Sequence, residues 1–130
     1  MILTLDRPIQ QSLLELKRIL IVDDEEGIRR LLGYMLQAQG YETVLASDAR
    51  DARGKLAEQP FALILCDVNM PGESGMDLVR DILQQYPHTA VIMVTGLDSS
   101  VLATAALDIG AFGYIVKPFE SNKVMIDVAN

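Results

Sequence analysis

Acidic side chains stand bunched at one point of this 130-residue sequence and singly at another. Asp23-Asp24-Glu25-Glu26 follow the apolar run Ile19-Leu20-Ile21-Val22, and Asp67, with Asn69 two positions on, follows the run ending at Cys66. Thr95 and Lys117 each come directly after a further apolar run. Every one of these residues has an ordinary explanation when taken alone. Asp23 would serve as a helix N-cap with Glu26 completing a capping box. Asp67 would cap the turn into Met70-Pro71-Gly72, Thr95 would do the same before Gly96, and Lys117 would be a surface lysine. Taken together they describe another chemistry. The carboxylates of Asp23, Asp24 and Asp67, brought to one place, repel one another unless positive charge lies among them. Lys117 supplies one unit, and a hard divalent cation with oxygen ligands, Mg²⁺ above all, supplies the rest.

The elements between these residues decide whether they meet. Five short runs rich in Val and Ile, at 19–22, 43–46, 62–66, 90–94 and 114–116, are nearly continuous in apolar character. That pattern marks strands buried on both faces, as in a parallel sheet. Helical spacing fills the gaps. Ile28, Leu31, Leu32, Met35 and Leu36 share one stripe, with Gly40 at the C-terminal stop. Ala49, Ala52 and Leu56 mark a second helix ending before Pro60, and Leu78, Val79, Ile82 and Leu83 a third ending before Pro87. A fourth runs from Ser99 to Ile109, followed by Gly110, and a fifth begins at Ser121. Repeated strand–helix alternation predicts right-handed crossovers and an α/β, doubly wound, five-stranded parallel sheet. Ligands of such sheets sit beyond the carboxyl ends of the strands, where the polar residues above all fall.

Composition narrows the function classes. The chain has half its residues apolar and 22% charged, enough for one globular domain and too apolar for a disordered tail. A net charge of −7 disfavours direct contact with nucleic acid or anionic lipid. No apolar run approaches the roughly 20 residues of a membrane span, and no basic-then-apolar leader opens the sequence. The lone Cys66 makes neither an internal disulfide nor a cysteine zinc site, which fits a reducing cytoplasmic setting. Its place in a buried strand makes it a packing residue, and His88 is read as a surface residue in a loop. Neither phosphate-binding glycine motif, G-x-x-x-x-G-K-[ST] or G-x-G-x-x-G, follows the first strand. Residues 1–17 fall outside the alternation. Pro8 would open a helix bearing Ile9, Leu13, Leu14 and Leu16, either docked on the domain or serving as a dimerising arm.

Four segments in order, Ile19-Leu20-Ile21-Val22-Asp23-Asp24-Glu25, Cys66-Asp67-Val68-Asn69-Met70-Pro71-Gly72, Val94-Thr95-Gly96 and Tyr114-Ile115-Val116-Lys117-Pro118-Phe119, resemble the receiver domain of two-component response regulators, of the chemotaxis-regulator type. The resemblance spans 18–130, leaves 1–17 as an N-terminal extension, and implies a domain cut short in its last helix. It implies a flavodoxin-like strand order, 2-1-3-4-5. It implies that Asp67 accepts a phosphoryl group from a phosphohistidine. Asp24 and Asp67 would ligate Mg²⁺ directly, with the Asn69 backbone carbonyl as a third ligand and Asp23 acting through water. Lys117 and Thr95 would contact the phosphoryl oxygens, and Thr95 with Tyr114 would form the switch. A cis Lys117–Pro118 bond is also implied.

The implied partners are a sensor histidine kinase or phosphotransfer protein, and an output domain following Asn130, with phosphorylation-dependent homodimerisation as a further state. Such a module is not an enzyme beyond its own phosphorylation and dephosphorylation. The competing reading is a Mg²⁺-dependent phosphohydrolase with Asp67 as nucleophile. Phosphatases of the haloacid-dehalogenase type begin from Asp-x-Asp after the first strand, whereas here the acceptor follows the third and Asn69 stands in place of the second Asp. The fourth helix is too apolar for a single buried stripe, so Leu102 or Ala103 and Ala106 are expected at the surface, where the fourth helix, fifth strand and fifth helix would meet a partner.

Overall fold

The computed structural model describes residues 17–68, 75–95 and 100–116. Their order is β1 (Arg18–Val22), α1 (Glu26–Ala38), β2 (Glu42–Ala46), α2 (Ala49–Glu58), β3 (Leu63–Asp67), α3 (Gly75–Gln85), β4 (Ala90–Thr95), α4 (Ser100–Asp108) and β5 (Gly113–Val116). The strands form one parallel sheet in the order β2-β1-β3-β4-β5, the arrangement the sequence predicts.

The continuous apolar runs belong to the inner strands. Ile19 to Val22 of β1 and all of β3 are buried, because helices cover both faces of an interior parallel strand. β2 lies at an edge, and it mixes exposed Glu42 and Leu45 with buried Ala46. Alternation then splits the core in two. Leu20, Val22, Ile64, Cys66, Val91 and Met93 point to the face that α2 and α3 cover with Ala52, Leu56, Leu78 and Ile82. Ile19, Ile21, Leu63, Leu65, Ile92 and Val94 point to the opposite face, where α1 contributes Leu32 and Leu36. Each large aliphatic side chain so buried contributes about 1.5–3 kcal/mol, so register is firmly held: a slip by one residue would exchange the two faces.

Helix ends follow local chemistry. Gly40, one residue past the C-cap Gln39, has φ +92°, and Gly110 after α4 has φ +117°. Both are left-handed positions that glycine occupies without steric cost. α2 opens on a reciprocal cap: the Asp51 N–H donates to Asp48 Oδ1 at 2.7 Å, and the Ser47 N–H donates to Asp51 Oδ2 at 3.1 Å. α1 opens differently. Its N-cap residue is Glu25, which makes no side-chain cap, so the Asp23–Glu26 capping box is not the arrangement adopted. Among the described residues no helix is long and apolar enough to cross a membrane.

The expected helices at 8–16 and from Ser121, and the Lys117–Pro118 bond, lie outside the described residues. α4 is described only in part at the positions expected at the surface. Val101 is its clearly exposed apolar residue, at 78%, while the side chains of Leu102, Ala103 and Ala106 lie outside the description. His88 is exposed, as expected.

Candidate functional site

The site is built at the carboxyl edge of the three central strands. Val22 pairs with Cys66 across β1 and β3, so the next residue on each strand, Asp23 and Asp67, stand side by side. Asp67 pairs in turn with Val94 on β4, and Thr95 closes that strand beside Val116 of β5. Neighbouring strands run about 4.8 Å apart, which gathers residues 23, 67 and 95 into a short arc. Asp67 and Thr95 are thus the last residues of their strands rather than loop residues, and the strand ladders fix their backbones.

Both central carboxylates are buried, Asp23 at 1% exposed and Asp67 at 4%. The Asp23 peptide is held from two sides: its N–H donates to the Ala46 carbonyl at 3.1 Å, and its own carbonyl accepts from Arg29 Nη1 at 2.7 Å. Its Oδ1 accepts the Glu25 N–H at 2.9 Å. This turn brings one carboxylate oxygen each from Asp23, Asp24 and Glu25 within 4.8 Å of one another, the first buried and the other two exposed. At such separations each pair of charges repels by between about 1 and 3.5 kcal/mol, depending on solvent exposure. Cys66 senses the same field. Burial pushes its thiol far above the ordinary value, and the charges of Asp67 and then Asp23 push it further. The S–H, 3.5 Å from the Asp67 carbonyl oxygen, is its donor there.

The other side of Asp67 is closed by α3. A Cβ on Gly75 would press against the Asp67 carbonyl oxygen and come within 2.8 Å of the Val68 carbonyl oxygen and 2.9 Å of Val68 Cα. Only a glycine lets the first turn of α3 lie this near the end of β3. The Gly75 N–H donates to the Val68 carbonyl at 3.3 Å.

Against this geometry stand the comparisons with known proteins. A family model described as the response regulator receiver domain matches residues 19–129. The chain belongs to the response regulator receiver domain family. It is 41% identical over 108 residues to the response regulator protein PilR of Pseudomonas aeruginosa, a match covering 83% of this chain and 24% of that protein. It is 37% identical to YkoG of Bacillus subtilis, an uncharacterized transcriptional regulatory protein, over 86% of this chain and 49% of that one. The chain thus spans a quarter to a half of these curated relatives. Among solved structures, a receiver domain protein from Clostridium thermocellum superposes with a TM-score of 0.80 at 33% identity, covering 85% of this chain and 90% of that one. The chemotaxis response regulator CheY4 of Vibrio cholerae superposes at 0.77 with 34% identity, covering 83% and 92%. The flavodoxin-like order of the sheet is that of these CheY-like neighbours.

Within this receiver domain the structure brings Asp23, Asp24 and Asp67 to one edge, as the sequence predicts, and carries Tyr114 on β5. Tyr114 is half-buried and packs on the face shared with Cys66 and Met93, whereas Ile115 belongs to the opposite face. The Thr95 side chain, Asn69 and Lys117 lie outside the described residues. Two contributors escaped the sequence. Glu25 joins the acidic cluster because its helix does not use it as a cap, and Arg29 reaches back six residues, past the start of α1, to the Asp23 carbonyl.

Proposed function

We propose that this receiver domain is a phosphorylation-driven switch in which Asp67 accepts a phosphoryl group from the phosphohistidine of a sensor kinase or phosphotransfer protein. The observation that carries the reading is two buried carboxylates, Asp23 and Asp67, each directly following the paired residues Val22 and Cys66 of adjacent strands. In the transfer, the phosphorus–nitrogen bond to the donor imidazole breaks as a bond to an Asp67 oxygen forms, and the imidazole leaves with the electron pair. Such a transfer asks the protein for positioning and charge neutralisation more than for covalent chemistry.

The donor set suits a hard divalent cation. Asp23, Asp24 and Glu25 offer only carboxylate oxygens, and one from each stands close enough to share an ion. In this reading Asp24 and Asp67 hold Mg²⁺ directly with the Asn69 carbonyl, Asp23 acts through water, and the ion offsets the charge of the incoming group. Lys117 and Thr95 bind the phosphoryl oxygens. The Thr95 hydroxyl is drawn toward them, Tyr114 turns into the space released, and the surface of α4, β5 and the segment beyond shifts to regulate an output domain, a partner, or a second copy of the chain. A phosphoryl group biases this balance only by its unequal interaction with the two states.

The test is intact mass after incubation with acetyl phosphate and Mg²⁺. Wild-type protein gains one slowly lost phosphoryl group, and Asp67→Asn gains none. An Asp67→Asn protein that gains a group of the same lability removes the assignment, and sustained turnover of the donor favours the phosphohydrolase reading.

A further inference from the structure

Two arginines follow one another at the start of α1, and the fold treats them differently. Arg30 is 72% exposed and pairs with Glu26 at 2.9 Å, one turn back on the helix surface. Arg29 is half-buried and turns inward, donating from Nη1 to the carbonyl of Asp23 at 2.7 Å. That carbonyl belongs to the residue whose N–H is fixed to Ala46 and whose carboxylate receives the Glu25 N–H. Arg29 therefore completes a frame around the peptide on which the acidic turn of three gathered carboxylates hangs. Without a cation, those carboxylates push the turn open. The guanidinium opposes this by tying the turn to the first turn of α1, whose Arg29 N–H also donates to the Glu25 carbonyl at 3.0 Å.

We propose that Arg29 is a positioning residue for the cation site: by holding the Asp23 carbonyl it keeps the acidic turn assembled before any ion arrives. The inference rests on the reading of the acidic turn as a Mg²⁺ site given above, and it adds a residue that touches neither ion nor phosphate. Groups that orient metal ligands in this way typically account for about 10- to 100-fold in metal affinity.

The experiment is calorimetric titration of Mg²⁺ into wild type, Arg29→Met, Arg29→Lys and Arg30→Met, each checked for folding by circular dichroism. Arg29→Met is expected to weaken binding by about 10- to 100-fold. Arg30→Met, which removes the same charge one residue away from an exposed pair, should stay within about twofold. Lysine carries one charge and can direct one donor at the carbonyl, so Arg29→Lys should recover affinity to within about threefold. If Arg29→Met does not fold, Arg29→Gln, neutral and too short to reach the carbonyl, takes its place with the same expected loss. Equal binding by the Arg29 and Arg30 variants overturns the proposal, as does an Arg29→Lys protein as weak as Arg29→Met. Wild-type protein that takes up no Mg²⁺ defeats the cation reading and the Arg29 role together. Wild-type binding with an unaffected Arg29→Met leaves the cation site standing and removes only Arg29 from it.

Discussion

The turns from β1 into α1 and from β2 into α2 are neighbours on the same edge of the sheet, and both carry acids ahead of a helix. In the second, Asp48 and Asp51 accept backbone N–H groups reciprocally and so complete the open end of α2. In the first, Glu25 occupies the N-cap without capping, and three carboxylates gather instead. One turn uses its negative charge to satisfy donors. The other concentrates it, held by backbone anchors from Ala46 and Arg29. The same residue types thus serve stability in one place and chemistry in the next, and the hydrogen bonds decide which.

Substitutions can break or sharpen this contrast. The largest effect is expected at a third turn of the same edge. Gly75→Val places a branched side chain against the backbone of Asp67 and Val68, and the overpacking should cost about 3 kcal/mol or more in urea unfolding. It should also slow phosphorylation by acetyl phosphate, since Asp67 must move. Next comes the capping turn: Asp48→Ala should destabilise by about 1–2 kcal/mol, with no change in Mg²⁺ affinity by calorimetry. The smallest effect has the opposite sign. Asp23→Asn keeps the Oδ1 acceptor for the Glu25 N–H and removes one of the repelling charges, so in EDTA it should stabilise by about 1 kcal/mol while weakening Mg²⁺ binding. A destabilised Asp23→Asn, or an Asp48→Ala as harmless as a surface change, would erase the distinction between the two turns.

Much of this was legible in advance. Strands buried on both faces write themselves as Ile-Leu-Ile-Val and Leu-Ile-Leu-Cys, and strand order followed from the resemblance carried by their carboxyl ends. The placement of Asp23, Asp24 and Asp67 at one edge followed from topology alone. Capping was less legible: Asp23 with Glu26 and Asp48 with Asp51 share the same three-residue spacing, and only the backbone path separates the pair that caps from the pair that does not. Arg29 was hidden for a similar reason. Two adjacent arginines look alike in sequence, and helix phase, not residue type, turns one inward and the other to water. On α4, the excess of apolar residues signalled exposure, and Val101 is exposed; the side chains of Leu102, Ala103 and Ala106 lie outside the described residues.

The thiol beside Asp67 carries a consequence for cellular redox chemistry. Oxidants attack the thiolate, and Cys66 keeps its proton well past the pH at which an open cysteine loses it. It is also wholly shielded from solvent. A peroxide therefore meets a sulfur that is neither charged nor reachable. Burial first, and the charges of Asp67 and Asp23 after it, keep this sulfur protonated at the end of β3.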